Sequence, residues 1–515
     1  MTHRLCLSSC VRSTGVRVAA LALTSAVACA SIMDIDTERK GVIPGANQSD
    51  QEAGVCTGTV YVRVFNDASG AIKEVSWPNT AGMIDLIRDI NDQGGIRGCP
   101  IDWDFADTGY DAQRAMEIYL EWKASEHWTK ISTLIGMGSV VVPVFGGEAG
   151  KDQRVVMSSS FNAPYASPVK HYHEVEVPTV NDHFVTVKTP ELLGSEGYPY
   201  VFLQGTDYST GARIGVSFAA KRGARRIAMF YCEDSAYCYD PAKAAKVMVD
   251  SLPNLELGRD LIINMTGAEQ PRIDQLVYDY LKEELLHKRD QPAYRMVDWA
   301  WFGNTRNTGV MTGKAIEAAK RKLLAEYDAD PDIKPFAQEL QDFRVITNNW
   351  AGDEGLIPAC PECYGSWFTY QPMSMYGDIS ASGMPRLMQV FTKWREVQDL
   401  RVPELTAARM EEFRVVEYIY GYVTILVWKM AVESVIDAKG SIVGEELSGQ
   451  ELRVALESFS DVDVQGLTAG RLTVSAEDHR PQNAEYIYEL TSSGVWSPTG
   501  GGAIRTTLLP EWLGW

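Results

Sequence analysis

The residues of this 515-residue chain whose types and spacing could do chemistry are its cysteines, a small histidine group and one glycine–lysine turn. Setting aside Cys6, Cys10 and Cys29 near the N-terminus, six cysteines remain: Cys56, Cys99, Cys232, Cys238, Cys360 and Cys363. Cys360-Pro-Glu-Cys363 has the spacing of a redox or zinc pair, but a zinc site needs four ligands and no second CxxC or nearby histidine pair supplies them. An even set fits structural disulfides in an oxidising compartment better. His171, His173 and His183 sit in a polar, proline-flanked stretch and read as surface histidines, so no metal site is expected. Gly309 to Ala315 contains Gly313-Lys314, yet it lacks the spacing of a phosphate loop and the hydroxyl residue that would hold magnesium. There is no nucleophile elbow and no HExxH. These exclusions point to a protein that binds without catalysing, and without a cofactor.

The N-terminus carries an address. Arg4, Arg12 and Arg17 precede the uncharged run Val18 to Ala28, which ends in small residues. The run falls short of the roughly 20 apolar residues of a membrane anchor but suits a signal peptide over residues 1–28. Cys29 follows directly and resembles the lipid-modified cysteine of bacterial lipoproteins, with Ala26 in place of the usual leucine. A periplasmic or envelope location follows, with any membrane contact limited to that lipid. Later apolar stretches such as Val423 to Trp428 are short and flanked by Glu417 and Lys429. Lys and Arg number 48 against 68 Asp and Glu, a net charge of −20. That balance argues against nucleic acid, whose phosphates need basic surface, and favours a soluble monomer.

Residues 29–55 are polar and aperiodic, a flexible tether. From Thr59 onward, short β-rich runs alternate with helical periodicity. Strands are predicted at Thr59–Phe65, Pro100–Phe105, Ile131–Ile135 and Arg154–Met157. A helix carries Met83, Ile84, Ile87 and Ile90 on one face, and Asp111 caps another. A second block repeats the alternation, with a helix at Ser209–Lys221 and strands at Arg226–Tyr231, Leu261–Met265, Met296–Phe302 and Arg344–Thr347. Asp240-Pro241 is expected to open a further helix. A long helix is predicted from about Glu411 to Ala438, then a hairpin around Ser492-Ser493. Residues 166–197 and 323–343 read as insertions. Two such blocks imply an α/β protein with two doubly wound parallel sheets, whose ligands sit at the carboxyl ends of the strands.

Three stretches in order resemble the branched-chain amino-acid (Leu/Ile/Val-type) binding proteins of ABC transporters. The helix ending in Asn91, Gly94-Gly95-Ile96 with Gly98, and Asp107-Thr108 with Asp111 are similar to that family's opening βαβ. Tyr198 to Tyr237 resembles its crossover into a second lobe, and Gly466-Leu467-Thr468 with Asp478-His479-Arg480 its C-terminal signature. The resemblance implies a type I periplasmic-binding fold crossed three times by the chain, near Gln204, near Tyr370 to Pro372 and near Arg480. Lobe one would then be 56–204 with 371–479, and lobe two 205–370 with 480–515. It makes Cys56 and Cys99 neighbours and a sensible disulfide. Cys232, Cys238, Cys360 and Cys363 would lie at cleft-facing strand ends, with local pairing preferred among three connectivities.

The same resemblance implies the ligand contacts. Hydroxyls and backbone N–H groups at Ser139, Ser158, Ser159 and Ser160 would hold a carboxylate. Tyr237 matches the family's lobe-two tyrosine, although Cys238 replaces the glycine that usually follows it. Asn304 and Thr305 stand where the family often has glycines and an aromatic, and suggest a more polar contact. Asp353 or Glu354 would pair with a ligand ammonium. The expected function is capture of a small amino-acid-like or carboxylate solute for ABC permease subunits. A ligand sensor on the same fold is the alternative.

Overall fold

The computed structural model describes residues 54–168, 197–397, 401–402 and 411–509. The signal segment, Cys29, the tether up to Ala53, the histidine group and most of 166–197 lie outside those residues.

The first block runs β1 (Val55–Thr57), β2 (Val60–Asn66), α1 (Lys73–Asp92), β3 (Ile101–Asp107), α2 (Ala112–Lys123), β4 (Ile131–Gly136), α3 (Val142–Lys151), β5 (Val155–Ser158) and β6 (Val201–Leu203). Strands β2 to β6 form a parallel sheet in the order β3-β2-β4-β5-β6. The interior strands β4 and β5 are buried on both faces, so neither shows the alternation of a half-exposed strand, and β4 buries Ser132 and Thr133 along with its apolar residues. Asp111 caps α2 by accepting the N–H of Arg114.

The second block runs α4 (Tyr208–Lys221), β7 (Arg226–Tyr231), α5 (Ala236–Asp250), β8 (Glu256–Ile262), α6 (Gln270–Asp290), β9 (Trp299–Gly303), α7 (Arg306–Glu326), α8 (Lys334–Glu339), β10 (Arg344–Thr347), α9 (Leu356–Ala359) and β11 (Trp367–Gln371). The chain continues through α10 (Met384–Arg395), α11 (Val416–Lys439), β12 (Ser441–Val443) and α12 (Gly449–Glu457) before β13 (Ala484–Leu490), β14 (Trp496–Pro498) and β15 (Ile504–Arg505). The second sheet has the order β8-β7-β9-β10-β11-β13-β14, parallel as far as β11, with β13 antiparallel and β15 on its edge. Between β11 and β13, α10 and α11 pack on α1, and α12 packs on β4 and β5. The mixed α/β architecture with two wound sheets is therefore as expected, and β1 pairs with β12 as a small separate ribbon.

Helix α11 is long and apolar enough to cross a membrane by length and composition, more than the short run seen in the sequence. It is instead a core helix, buried over most of its length. Its backbone meets that of α1 at two glycines. A Cβ on Gly82 would come within 2.0 Å of the Tyr418 carbonyl, and one on Gly421 within 1.8 Å of the Asn79 carbonyl. Beside this crossing, Arg395 of α10 and Asp85 of α1 form a fully buried ion pair, and the Tyr418 hydroxyl also donates to Asp85.

Some boundaries differ from expectation. Helix α5 starts at Ala236, so Pro241 lies inside it and forgoes the bond to the carbonyl of Tyr237. The strand predicted at Leu261–Met265 lies earlier, at β8, and the one at Met296–Phe302 begins at Trp299. Residues 323–343 are no loose insertion: Leu323, Ile333, Ala337, Leu340 and Phe343 are buried in the core behind the second sheet. Cys56–Cys99, Cys232–Cys238 and Cys360–Cys363 are disulfides, the last two pairing locally.

Candidate ligand-binding site

The carboxyl ends of both sheets' strands border one small cavity. From the first sheet's side come Ile72 and Val75 after β2, Tyr110 after β3, Met137 and Ser139 after β4, and Ser160 after β5. From the other side come Tyr208 at the start of α4, Tyr237 after β7, Thr305 after β9 and Trp350 after β10. Wound sheets place loops of differing length at these ends, which is where such folds build ligand sites. The space is about 20 Å³, room for one water, so entry of a solute requires the two walls to part. A larger concavity of about 310 Å³ lies elsewhere, beside the β1–β12 ribbon, lined by Lys439 and Glu451 among others. No strand of either main sheet ends among its lining residues.

Helix N-termini surround the cavity. Ile72 and Thr305 are the N-cap residues of α1 and α7, Tyr208 and Tyr237 lie in the first turns of α4 and α5, and Ser139 precedes α3. The free N–H groups and positive dipole ends of such first turns favour an anion. Among the described residues lining the cavity none carries a charge.

The hydroxyls are partly committed. Ser139 donates to Asn162 at 3.0 Å, and Ser160 Oγ accepts the N–H of Gly138 at 2.7 Å. The Tyr110 hydroxyl lies beside Ser235 and Ser139. Tyr110 itself has φ +58°, the left-handed region that a bulky residue seldom adopts, and strain of this kind gathers at functional positions. Trp350 donates its indole N–H to the Tyr208 hydroxyl at 2.7 Å. The Tyr237 hydroxyl is buried beside Asn348 and completes no hydrogen bond. Burial pushes the Tyr208 and Tyr237 phenols well above the usual range, so both remain donors at any ordinary pH.

The rings form a wall. Tyr208 and Tyr237 meet edge to face at 5.8 Å, Phe161 stacks on Trp350 at 6.4 Å, and Tyr420 closes on Trp350 at 5.1 Å. The Cys232–Cys238 bond closes the loop that carries Tyr237, fixing it to the end of β7.

Of the residues predicted from sequence, Ser139, Ser160, Tyr237 and Thr305 line the cavity and five others do not. Ser158 hydrogen-bonds within its own turn, to Ser160, and Ser159 pairs with Thr424 of α11. Asn304 donates to the carbonyl of Ile263 and accepts the N–H of Thr305. Asp353 accepts from Arg306 at 2.5 Å and from the N–H of Gly355 at 2.7 Å. Glu354 accepts the N–H groups of Tyr376 and Val416. Burial, with Asp353 alongside, pushes the Glu354 carboxyl up to about 8, against the opposing pull of those N–H donors. Glu417, also buried, lies 3.3 Å from Arg306 and is raised by the same burial.

Sequence reasoning missed Tyr110, Tyr208 and Trp350. The signal for Tyr110 was a Gly-Tyr step directly ahead of a capping aspartate; Trp350 stood three residues before the acids that drew attention instead.

Residues 59–252 match the family model described as periplasmic binding protein. No curated protein matches the chain in sequence. Among solved structures, an ABC transporter substrate-binding protein from Aeropyrum pernix is 18% identical, with a TM-score of 0.65 over 89% of this chain and 98% of that one. The fold is that of the periplasmic binding proteins. A branched-chain amino-acid ABC transporter structure from Thermus thermophilus with bound valine is similar at TM-score 0.62 and 12% identity, covering 88% of this chain and 98% of that one. A solute-binding protein of an ABC transporter from R. palustris, in complex with benzoate, is similar at TM-score 0.58 and 13% identity, covering 87% and 98%. These periplasmic-binding folds bracket ligands of different charge, so the likeness itself names no solute.

Proposed function

We propose that the protein is an exported solute-binding component of an ABC importer that captures a small carboxylate-bearing solute between two lobes. The observation that carries the proposal is the interlobe cavity, where first turns of helices and the hydroxyls of Ser139, Ser160, Tyr237 and Thr305 converge and no described lining residue is charged. In this reading residues 56–204 with 371–479 form one lobe, and 205–370 with 480–515 the other. The packing of α10, α11 and α12 against first-sheet elements supports that division. Capture proceeds by closure: a solute touching both walls stabilises the shut form, and permease subunits recognise that form. A signal peptide over residues 1–28 would direct export, and a lipid on Cys29 would hold the mature monomer at the membrane.

A thermal-shift screen of the mature protein against amino acids, short carboxylates, amides and polyols tests the reading. A carboxylate that raises the melting temperature in proportion to the logarithm of its concentration supports it. Failure of every small anion, with or without an amino group, refutes it.

A further inference from the structure

We infer that the site selects a small monoanion with a flat, uncharged body, the chemistry of an aromatic carboxylate, and rejects zwitterionic amino acids. The inference rests on the cavity being the solute site, as proposed above. Three features of the wall lead to it.

The first is the anion end. Helix first turns at Ile72, Tyr208, Tyr237 and Thr305 face a space in which the Tyr237 hydroxyl is buried without a partner. A buried donor left open in this way is completed by a ligand acceptor.

The second is the lack of anything to receive an ammonium group. No described residue lining the cavity is acidic. The two acids nearest in sequence to Trp350 are committed elsewhere: Asp353 to the Arg306 guanidinium and the Gly355 N–H, Glu354 to two backbone N–H groups of the opposite lobe. Glu354, with its carboxyl at about 8, also carries little charge at neutral pH. Glu74 and Asp67, whose charges act on Tyr237 and Tyr110, do not line the cavity, and burial pushes both carboxyls up. An ammonium group closed into this cavity would lose its hydration and contact no carboxylate in the wall, which is a heavy penalty.

The third is the body of the wall. Tyr110, Tyr208, Tyr237 and Trp350 present rings, and Ile72, Val75 and Met137 present aliphatic groups. Rings prefer offset or edge-to-face contact with another ring, so a planar apolar body makes the best use of them. Aromatic faces also attract quaternary ammonium groups, but here the surrounding helix N-termini oppose a cation.

The test is isothermal titration of the full mature chain, unfolded and refolded to strip carried-over solute, with benzoate, L-phenylalanine, L-valine and glycine betaine. Benzoate is expected to bind at least a hundredfold tighter than phenylalanine, which adds a methylene and an ammonium-bearing carbon between ring and carboxylate, and tighter than valine or betaine. Phenylalanine or valine binding as tightly as benzoate overturns the inference and leaves the capture reading in place. Betaine binding tighter than benzoate overturns it in favour of a cation-accepting aromatic cage. Binding by none of the four, nor by any other small anion, overturns the inference and the capture reading together.

Discussion

Replacing Tyr237 with Phe separates stability from binding in a way that the structure makes specific. The hydroxyl is buried and without a partner, and such a group costs a folded protein about 1–3 kcal/mol. Its removal is therefore expected to leave the unfolding free energy unchanged or to raise it by about 1 kcal/mol. The ring, which meets Tyr208 at 5.8 Å, stays in place. In the complex the same hydroxyl would donate to an anionic ligand, and hydrogen bonds to charged groups contribute about 1.5–3 kcal/mol. Loss of that bond is expected to weaken the dissociation constant about 10- to 100-fold. Urea unfolding measured with far-UV circular dichroism gives the first quantity, and titration calorimetry with the best solute gives the second. A variant that is less stable by more than 1 kcal/mol and binds as tightly as the wild type would refute the reasoning. The hydroxyl would then serve a structural bond to Asn348 and face no ligand.

Three further outcomes follow from the same geometry. Glu354 and Glu417 hold their protons more tightly when folded than when unfolded, so their contribution is fully present below the unfolded value of 4.5 and is lost as pH rises, for Glu354 through about 8. Urea midpoints are expected to fall between pH 6 and pH 9, and Glu417→Gln should reduce that fall; a flat profile in the wild type would contradict it. Changing Cys232 and Cys238 together to Ser opens the loop bearing Tyr237, and is expected to cost about 2 kcal/mol of stability and to weaken solute binding several-fold. Unchanged affinity in calorimetry would show that the loop holds its place without the bond. Arg395→Met leaves Asp85 buried with only Arg88 and Tyr418 beside it, and should lower the unfolding free energy by about 3 kcal/mol, with a smaller loss as pH is lowered, since burial favours the protonated carboxyl. A loss under 1 kcal/mol would mean that the pair's desolvation nearly cancels its attraction.

The two wound sheets were legible because buried parallel strands such as Ile131–Ile135 and Arg226–Tyr231 announce themselves by apolar content and by the helical periods between them. The Cys56–Cys99 pairing followed from the resemblance, since its topology sets those residues beside neighbouring strands. The cavity was half legible. Serines at strand ends and Tyr237 could be placed by motif order, but which of Ser158, Ser159 and Ser160 faces inward depends on a turn that spends the first two on Ser160 and Thr424. Asp353 and Glu354 looked like ammonium acceptors because loop acids usually meet water or ligand. Their partners, Arg306 and the N–H groups of Tyr376 and Val416, are 22 to 62 residues away, and only tertiary structure brings them together. Tyr208 and Trp350 gave no local signal to separate them from core aromatics, because their role comes from facing the first sheet's residues across the cavity.

The most direct test of the central claim, a solute held between the two sheets, is a crystal structure of the mature protein with the most stabilising solute from the thermal screen. The account predicts ligand density in contact with Ser139 or Ser160 on one side and with Tyr237 and Trp350 on the other, its anionic group within hydrogen-bond distance of the Tyr237 hydroxyl. Density confined to one lobe, or seated in the larger concavity beside Lys439 and Glu451, would contradict it.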